Sequence, residues 1–311
     1  MKIVILESLS ISDEELTRLT KPLMDNGHEI VSYTDGKADE DTLKTRVKDA
    51  DILVVANMPI SGDVIDAAEN LKFISIAFTG YDHVDLDKCK EKGIKVSNAG
   101  GYSTNSVAEL TFGLIIGLLR NIVVLDDVAR KSGTKQGYGQ FDLKGKTLGV
   151  LGTGEIGSAV AELGLAFGCN VVAYNRSEKP ALQAKGVKYL PLEEVLKISD
   201  IVTIHMPATN ETKGLINKDK LALMKPTSLL INTGHGAIVD NNALAEALEN
   251  GTIAGAGLDR VDMEPPIPAD YPLLKAPNTI IVPHIGFATK EALVRRAEIT
   301  FNNIVKWEKG E

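Results

Sequence analysis

Two of the five histidines in this 311-residue sequence stand where acid–base chemistry is readily built. His284 sits in PHIGFAT, at the end of the apolar run TIIVP. Upstream, LDRVDMEPP places Asp259 at another strand end and Glu264 before two prolines that stiffen the loop. A carboxylate beside an imidazole favours the charged ring and raises its pKa from about 6.5 toward or beyond neutrality, so a proton is on hand for a carbonyl oxygen under reduction. A structural His capped by a surface Glu has the same spacing, and the residues alone leave both readings open. His235 stands in INTGHGAIVD, where the run Ser228 to Asn232 ends in a turn of Thr233, Gly234, His235 and Gly236. That is the pattern of a buried strand delivering a loop to a sheet edge. The other histidines read as less chemical: His28 in a surface turn after Asn26 and Gly27, His83 structural in TGYDHVD, and His205 facing a ligand through its backbone where DIVTIH ends before Pro207.

The sharpest local motif is GVLGTGEIGSAVAELGLAFG, residues 149–168. Gly152, Gly154 and Gly157 make GxGxxG, which is weak by itself. Here it follows the apolar strand Leu148 to Leu151, opens a helical pattern, and is followed on schedule by a second strand, Asn170 to Tyr174, a context that makes it specific. Gly152 permits the tight turn, Gly154 lets a pyrophosphate approach the backbone, and Gly157 lets the helix pack on the strand, while the helix start at Glu155 and Ile156 offers N–H groups. At the end of the second strand, YNRS has neutral Asn175 where an acid would hold the ribose of NAD(H) and repel a 2′-phosphate. Arg176 and Ser177 suit that phosphate, so NADP(H) is preferred and NAD(H) remains possible, with Arg176 then a solvated surface residue.

Positioning these groups takes sheets. KIVIL, DILVVAN, FISIAF and IKVSNA read as four buried strands in the first hundred residues, and TLGVLG, NVVAYN, DIVTIH, SLLINT, AGAGLD and TIIVPH as a second series. Such unbroken apolar runs belong to parallel sheets covered on both faces, an α/β architecture. A long helix is expected from about Thr104 to Lys131, and the tail EALVRRAEITFNNIVKWEKG is an amphipathic helix able to cap either domain. Composition is that of a globular chain, with 44% hydrophobic and 24% charged residues, and a net charge of -8 argues against nucleic-acid or anionic-membrane partners. Cys89 and Cys169 are isolated and read as buried packing residues, with no metal-site spacing. LTFGLIIGLL, residues 110–119, falls short of the ~20 apolar residues a bilayer needs and reads as a buried helix. MKIVILESLS reads as a first strand rather than a signal peptide, and the expectation is a cytoplasmic protein.

TGYDHVDLD, VSNAGGYSTNSVAEL, LKGKTLGVLGTGEIG, HMPATNETKGLIN, LINTGHGAIVD, AGAGLDRVDMEPP and VPHIGFAT, in that order, make the chain resemble the D-isomer-specific 2-hydroxyacid dehydrogenases over nearly its whole length. The resemblance implies two Rossmann-like doubly wound parallel-sheet domains: a discontinuous substrate domain, 1–100 with 286–311, and a dinucleotide-binding domain, 101–285. It implies reversible hydride transfer between a nicotinamide and C2 of a small 2-oxoacid or 2-hydroxyacid, with His284 as acid/base and Glu264 as its orienting partner. Asp259 would stand on the cofactor side, with His205, Pro207, Thr233, Gly234 and Gly286. The loop around Ala56 and Asn57 and the turn at Thr79 and Gly80 would bind the substrate carboxylate through backbone N–H groups. A homodimer held by the nucleotide domain is implied as well. Loops near Met58, Tyr81, Tyr102 and Phe287 would shape the pocket, which leaves glyoxylate, hydroxypyruvate, pyruvate and bulkier aromatic 2-oxoacids all open.

His235 is the departure, because the family pattern has arginine there, forked onto the substrate carboxylate and the reacting oxygen. Ala237, where glycine is common, and Asp262, where many relatives carry glutamate, are lesser changes. Arginine brings five donors and a permanent charge, histidine at most two donors and a charge only when protonated. Losing such a contact costs on the order of 100- to 1,000-fold in rate. Three readings follow: a neighbouring group compensates, with His235 protonated on substrate binding; the substrate differs; or the chain is a non-catalytic NAD(P)(H)-binding sensor or co-regulator.

Overall fold

The computed structural model describes residues 1–36, 38–81 and 83–310; Lys37, Asp82 (within TGYDHVDLD) and Glu311 lie outside the described residues. The chain forms two compact units, Met1–Ser103 with Phe287–Glu311, and Thr104–Gly286. The divisions anticipated from sequence were after residues 100 and 285.

The first unit is a five-stranded parallel sheet of β1 (Lys2–Ile5), β2 (Glu29–Ser32), β3 (Ile52–Val55), β4 (Phe73–Ile76) and β5 (Lys95–Asn98), in the order β2-β1-β3-β4-β5. Successive side chains serve opposite cores, as the period of two requires. Val4, Leu53, Val55, Ile74 and Ile76 enter one cluster, and Ile3, Ile5, Ile52, Val54 and Phe73 the other. Sequence reading counted four strands here and missed β2. This is an edge strand with its outer positions exposed, and EIVS lacks the unbroken apolar run that marked the other four. The C-terminal helix, Lys290–Glu308, starts at Thr289, whose side chain accepts from the Ala292 N–H. It buries Ala297, Phe301 and Ile304 against this sheet, while Trp307 stacks on Phe73 with centroids 5.0 Å apart. His28, expected on the surface, instead has a side chain only 9% exposed, with Nε2 3.0 Å from Glu308 Oε1. A residue just ahead of a strand is covered when a later helix docks over it, which local sequence does not announce.

The second unit carries β6 (Thr147–Leu151), β7 (Asn170–Tyr174), β8 (Lys188–Tyr189), β9 (Ile201–Ile204), β10 (Leu229–Asn232), β11 (Gly255–Leu258) and β12 (Thr279–Ile281), all parallel, in the order β12-β11-β10-β9-β6-β7-β8. Leu148, Val150, Val171, Ile201 and Ile231 face the helices Thr104–Leu119 and Glu155–Ala166, whereas Leu151, Val172, Val202, Ile204 and Leu230 face Leu192–Ile198 and Asn241–Glu249. Both faces are covered, so the strands are apolar throughout. The two-residue β8 was not legible. The single helix expected from Thr104 to Lys131 is in fact two, Thr104–Leu119 and Ile122–Arg130, bent by 56° at Asn121, whose φ of 50° breaks the ladder. No single helix among the described residues is long and apolar enough to cross a membrane. Cys89 and Cys169 are buried, and burial raises both thiols, that of Cys89 to about 11.

Candidate active site

β6 has β7 on one side and β9 on the other, so the chain reverses its direction of travel across the sheet at β6, where open α/β sheets build their ligand crevice. The turn after β6 needs its glycines: Gly152 has φ 91°, and a side chain at Gly157 would collide with the Gly152 carbonyl. Gly154 differs, because a Cβ there would meet no atom within 4 Å. Packing does not demand a glycine at that point, and the open backbone is what an approaching pyrophosphate requires. The helix Glu155–Ala166 begins at Gly154 with no side-chain cap, and its first intrahelical bond runs from the Ser158 N–H to the Gly154 carbonyl at 3.0 Å. The N–H groups of Glu155, Ile156 and Gly157 are thus left for an anionic ligand at the positive end of the helix. These residues fit a dinucleotide.

At the end of β7, Asn175 Nδ2 donates to the Ser177 carbonyl at 2.7 Å, and its Oδ1 accepts from the Thr153 N–H at 3.3 Å. Its amide shapes the loop, while Arg176 and Ser177 are exposed. Lys179, not singled out from sequence, joins them: its Nζ donates to Ser158 Oγ at 3.2 Å, on the first turns of the glycine-turn helix, and lies 3.9 Å from Glu155. The signal was available, since a lysine two residues past NRS keeps the loop cationic. His205 lies beneath the turn, its ring Nε2 2.8 Å from Thr203 Oγ1 and its Nδ1 buried without a partner among the described residues. Burial pushes this imidazole down to about 3, so it is neutral. The Pro207 carbonyl accepts from Thr212 Oγ1 at 2.6 Å, and the buried Thr233 hydroxyl pairs with that of Thr111 at 2.8 Å. The Gly234 N–H donates to Asn232 Oδ1 at 3.1 Å.

At the C-terminal edge of β11 and β12, His284 Nδ1 donates to Glu264 Oε2 at 2.8 Å. Burial alone would raise the Glu264 carboxyl. The hydrogen bond from His284 and the nearby His284, Arg260 and His235 side chains hold it below its usual range, so it is ionised. His284 has φ 56°, a left-handed conformation uncommon for a residue with a Cβ. The loop is held there by Asp259, whose two carboxylate oxygens accept from the Ile285 N–H (2.7 Å) and the Gly286 N–H (3.0 Å). Asp259 is therefore engaged in positioning the segment that carries His284. Desolvation raises its carboxyl despite those two bonds.

His235 caps the short helix Gly236–Ile238, its Nδ1 accepting from the Ala237 N–H at 3.2 Å. The ring hydrogen is then on Nε2, and protonating Nδ1 would break this cap. Arg260, also passed over in LDRVD, pairs through Nη2 with Glu264 Oε1 at 2.5 Å. Among the described residues no cluster of His, Cys, Asp and Glu is arranged to hold a metal ion.

In the first unit, Asn98 Nδ2 donates to the carbonyl of the exposed Thr79 at 2.6 Å, next to the half-buried Gly80. The Asn57 loop departs from expectation. The N–H groups of Ala56, Asn57 and Met58 converge on Glu7 Oε1 at 2.9, 2.8 and 2.7 Å. The backbone donors expected to receive a carboxylate already hold one belonging to the protein. Glu7 lies directly after the first strand, and nothing local in ILES marks it for that part.

The glycine turn at a switch point of a parallel sheet defines a dinucleotide-binding Rossmann-type protein, and the comparisons make this specific. The profile described as D-isomer specific 2-hydroxyacid dehydrogenase, NAD binding domain, matches residues 112–286. A glyoxylate reductase of Thermococcus litoralis is 37% identical over 94% of this chain and 93% of its own. Solved structures of similar fold include a D-lactate dehydrogenase from Aquifex aeolicus complexed with NAD and lactic acid, with a TM-score of 0.83 and 34% identity over 99% of this chain and 96% of that one. An acyclic imino acid reductase in complex with NADPH and D-arginine has a TM-score of 0.88 and 28% identity over 100% and 98%. The chain belongs to the D-isomer-specific 2-hydroxyacid dehydrogenase family.

Proposed function

We propose that the protein is an NADP(H)-linked reductase of small 2-oxoacids, reversible toward the 2-hydroxyacid, with His284 as acid/base and Glu264 as its partner. The observation that carries this reading is the 2.8 Å His284–Glu264 pair, held at the sheet edge on a backbone that Asp259 clamps into a left-handed conformation. A nicotinamide, when bound, supplies or takes the hydride at C2. The ionised Glu264 fixes the His284 ring through Nδ1 and aligns it, so that Nε2 delivers a proton to the C2 oxygen or recovers it in reverse. The glycine turn and the N–H groups of Glu155, Ile156 and Gly157 hold the pyrophosphate. Arg176, Ser177 and Lys179 favour a 2′-phosphate, which a neutral Asn175 does not repel. The glyoxylate reductase and the lactate-bound dehydrogenase among the relatives favour small substrates of that kind.

The test is oxidation of NADPH, and separately of NADH, at 340 nm against a panel of 2-oxoacids, with His284→Ala alongside. Turnover of at least one 2-oxoacid is expected, with a preference for NADPH. His284→Ala should lose activity by at least 100-fold with NADPH affinity unchanged. A tenfold preference for NADH would overturn the cofactor assignment. Tight NADPH binding without turnover of any member would leave a cofactor-binding protein lacking this chemistry.

A further inference from the structure

Glu264 is gripped from two sides. His284 engages Oε2 at 2.8 Å, and Arg260 engages Oε1 at 2.5 Å with a side chain only 26% exposed. Among the described residues Glu264 is the one ion-pair partner of Arg260, met through Nη2. A guanidinium carries five donors, more than one carboxylate group can take up. The loop carrying Arg260 also abuts the turn carrying His235: a Cβ at Gly236 would collide with the Val261 carbonyl and come within 2.7 Å of the Asp262 nitrogen. Two backbones in such contact place the residues just before each collision point, His235 and Arg260, in one neighbourhood, with Glu264 and His284 beside them.

The chemistry of that neighbourhood is unbalanced without Arg260. A 2-oxoacid brings a carboxylate, which needs a permanent positive charge or several donors. His235 offers neither. With Nδ1 accepting from the Ala237 N–H, its ring can donate through Nε2 alone. His284 is committed to the proton at the C2 oxygen. We propose that Arg260 supplies the charge for the substrate carboxylate, so that Arg260 and His235 divide between them what one guanidinium at position 235 would do. The proposal rests on the 2-oxoacid reading above and names the anchor of that same site. The pair with Glu264 presents the fork before substrate arrives, because one nitrogen stays on the carboxylate while the others take the ligand.

The test separates the anchor from the turnover. Oxamate, an unreactive 2-oxoacid analogue, is titrated into NADPH-loaded protein by calorimetry for the wild type, Arg260→Gln, Arg260→Lys, and the double variant Arg260→Gln with His235→Arg. The expected result is tight oxamate binding to the wild type and at least tenfold weaker binding to Arg260→Gln. Arg260→Lys should lie between the two, and the double variant should return to within threefold of the wild type, with NADPH affinity constant throughout. Oxamate binding to Arg260→Gln within twofold of the wild type overturns the proposal. It is overturned equally if Arg260→Gln leaves KM for the 2-oxoacid alone and moves only the pH profile of kcat, which would make Arg260 a positioning residue for Glu264. Wild-type protein that binds oxamate but turns over no 2-oxoacid would refute the catalytic reading while leaving the anchor tested. Wild-type protein that binds no oxamate refutes the anchor.

Discussion

His205 shows how one residue links the glycine turn to the stability of the fold. Its ring is neutral because it is buried, with a pKa near 3 against 6.5 for the free side chain. Above pH 6.5 both folded and unfolded chains carry it uncharged. As pH falls below 6.5 the unfolded chain takes up a proton that the folded ring refuses, so stability drops by about 1.4 kcal/mol per pH unit until about pH 3. His205→Gln removes this dependence. Urea unfolding at pH 6.5 and 4.5 should therefore show a loss smaller in the variant than in the wild type by about 2–3 kcal/mol, and equal losses would mean that the ring protonates in the folded state. Legibility at this scale followed local pattern. The glycines, His284 and Glu264 could be found because strand ends and motif spacing place them. Glu7 could not, since its partners are three amides 49–51 positions away. Arg260 could be read but not interpreted, because its meaning depends on the loop beside it.

The same distinction runs through the elements. Strands buried on both faces announce themselves as apolar runs, so all but β2 and β8 were visible; each of those lies at one edge of its sheet, β2 without a buried residue and β8 only two residues long. The break at Asn121 was hidden because VVLDDVAR continues the helical pattern past it. The C-terminal helix was clear as a helix and silent about its destination, which depends on the shape complementarity of Ala297, Phe301 and Ile304 with the first sheet. Phe301 is 3% exposed there. Phe301→Ala removes its apolar contacts and leaves a cavity, at a cost of about 3–5 kcal/mol. Denaturant unfolding should show that loss as a lower midpoint in the first unit. A loss under about 1 kcal/mol would mean that the helix contributes little to the sheet beneath it.

For the whole molecule, one group of exposed apolar side chains in the second unit lies beside the helix break. Ile122, Val123, Val124 and Phe141 are each more than 40% exposed, bordering a groove of about 550 Å³ that Val123, Val124 and Phe141 help to line. A contiguous apolar surface of this kind marks an interaction face, and the homodimer anticipated from the resemblance is proposed to use it. Val123→Asp places a charge in that face. Light scattering after gel filtration should find a dimer for the wild type and a monomer for the variant, while a wild-type monomer would dispose of the assignment.

The order of synthesis follows from the way one unit interrupts the other. Ser75 Oγ donates to the Thr300 carbonyl, Arg296 Nη2 to that of Leu9, and Asn303 Nδ2 to that of Asn98, pairs separated by 205–287 positions. A ribosome has therefore made every strand of both sheets before it makes the helix that completes one face of the first. Residues 104–286 have their whole core in hand at that moment, whereas the earlier-made face of Ile3, Ile5, Val54 and Phe73 has Leu23 of the first helix but still lacks Ala297, Phe301 and Ile304. The interrupting unit is positioned to fold first although its residues emerge second, and the older segment is the one that depends on protection from aggregation during translation.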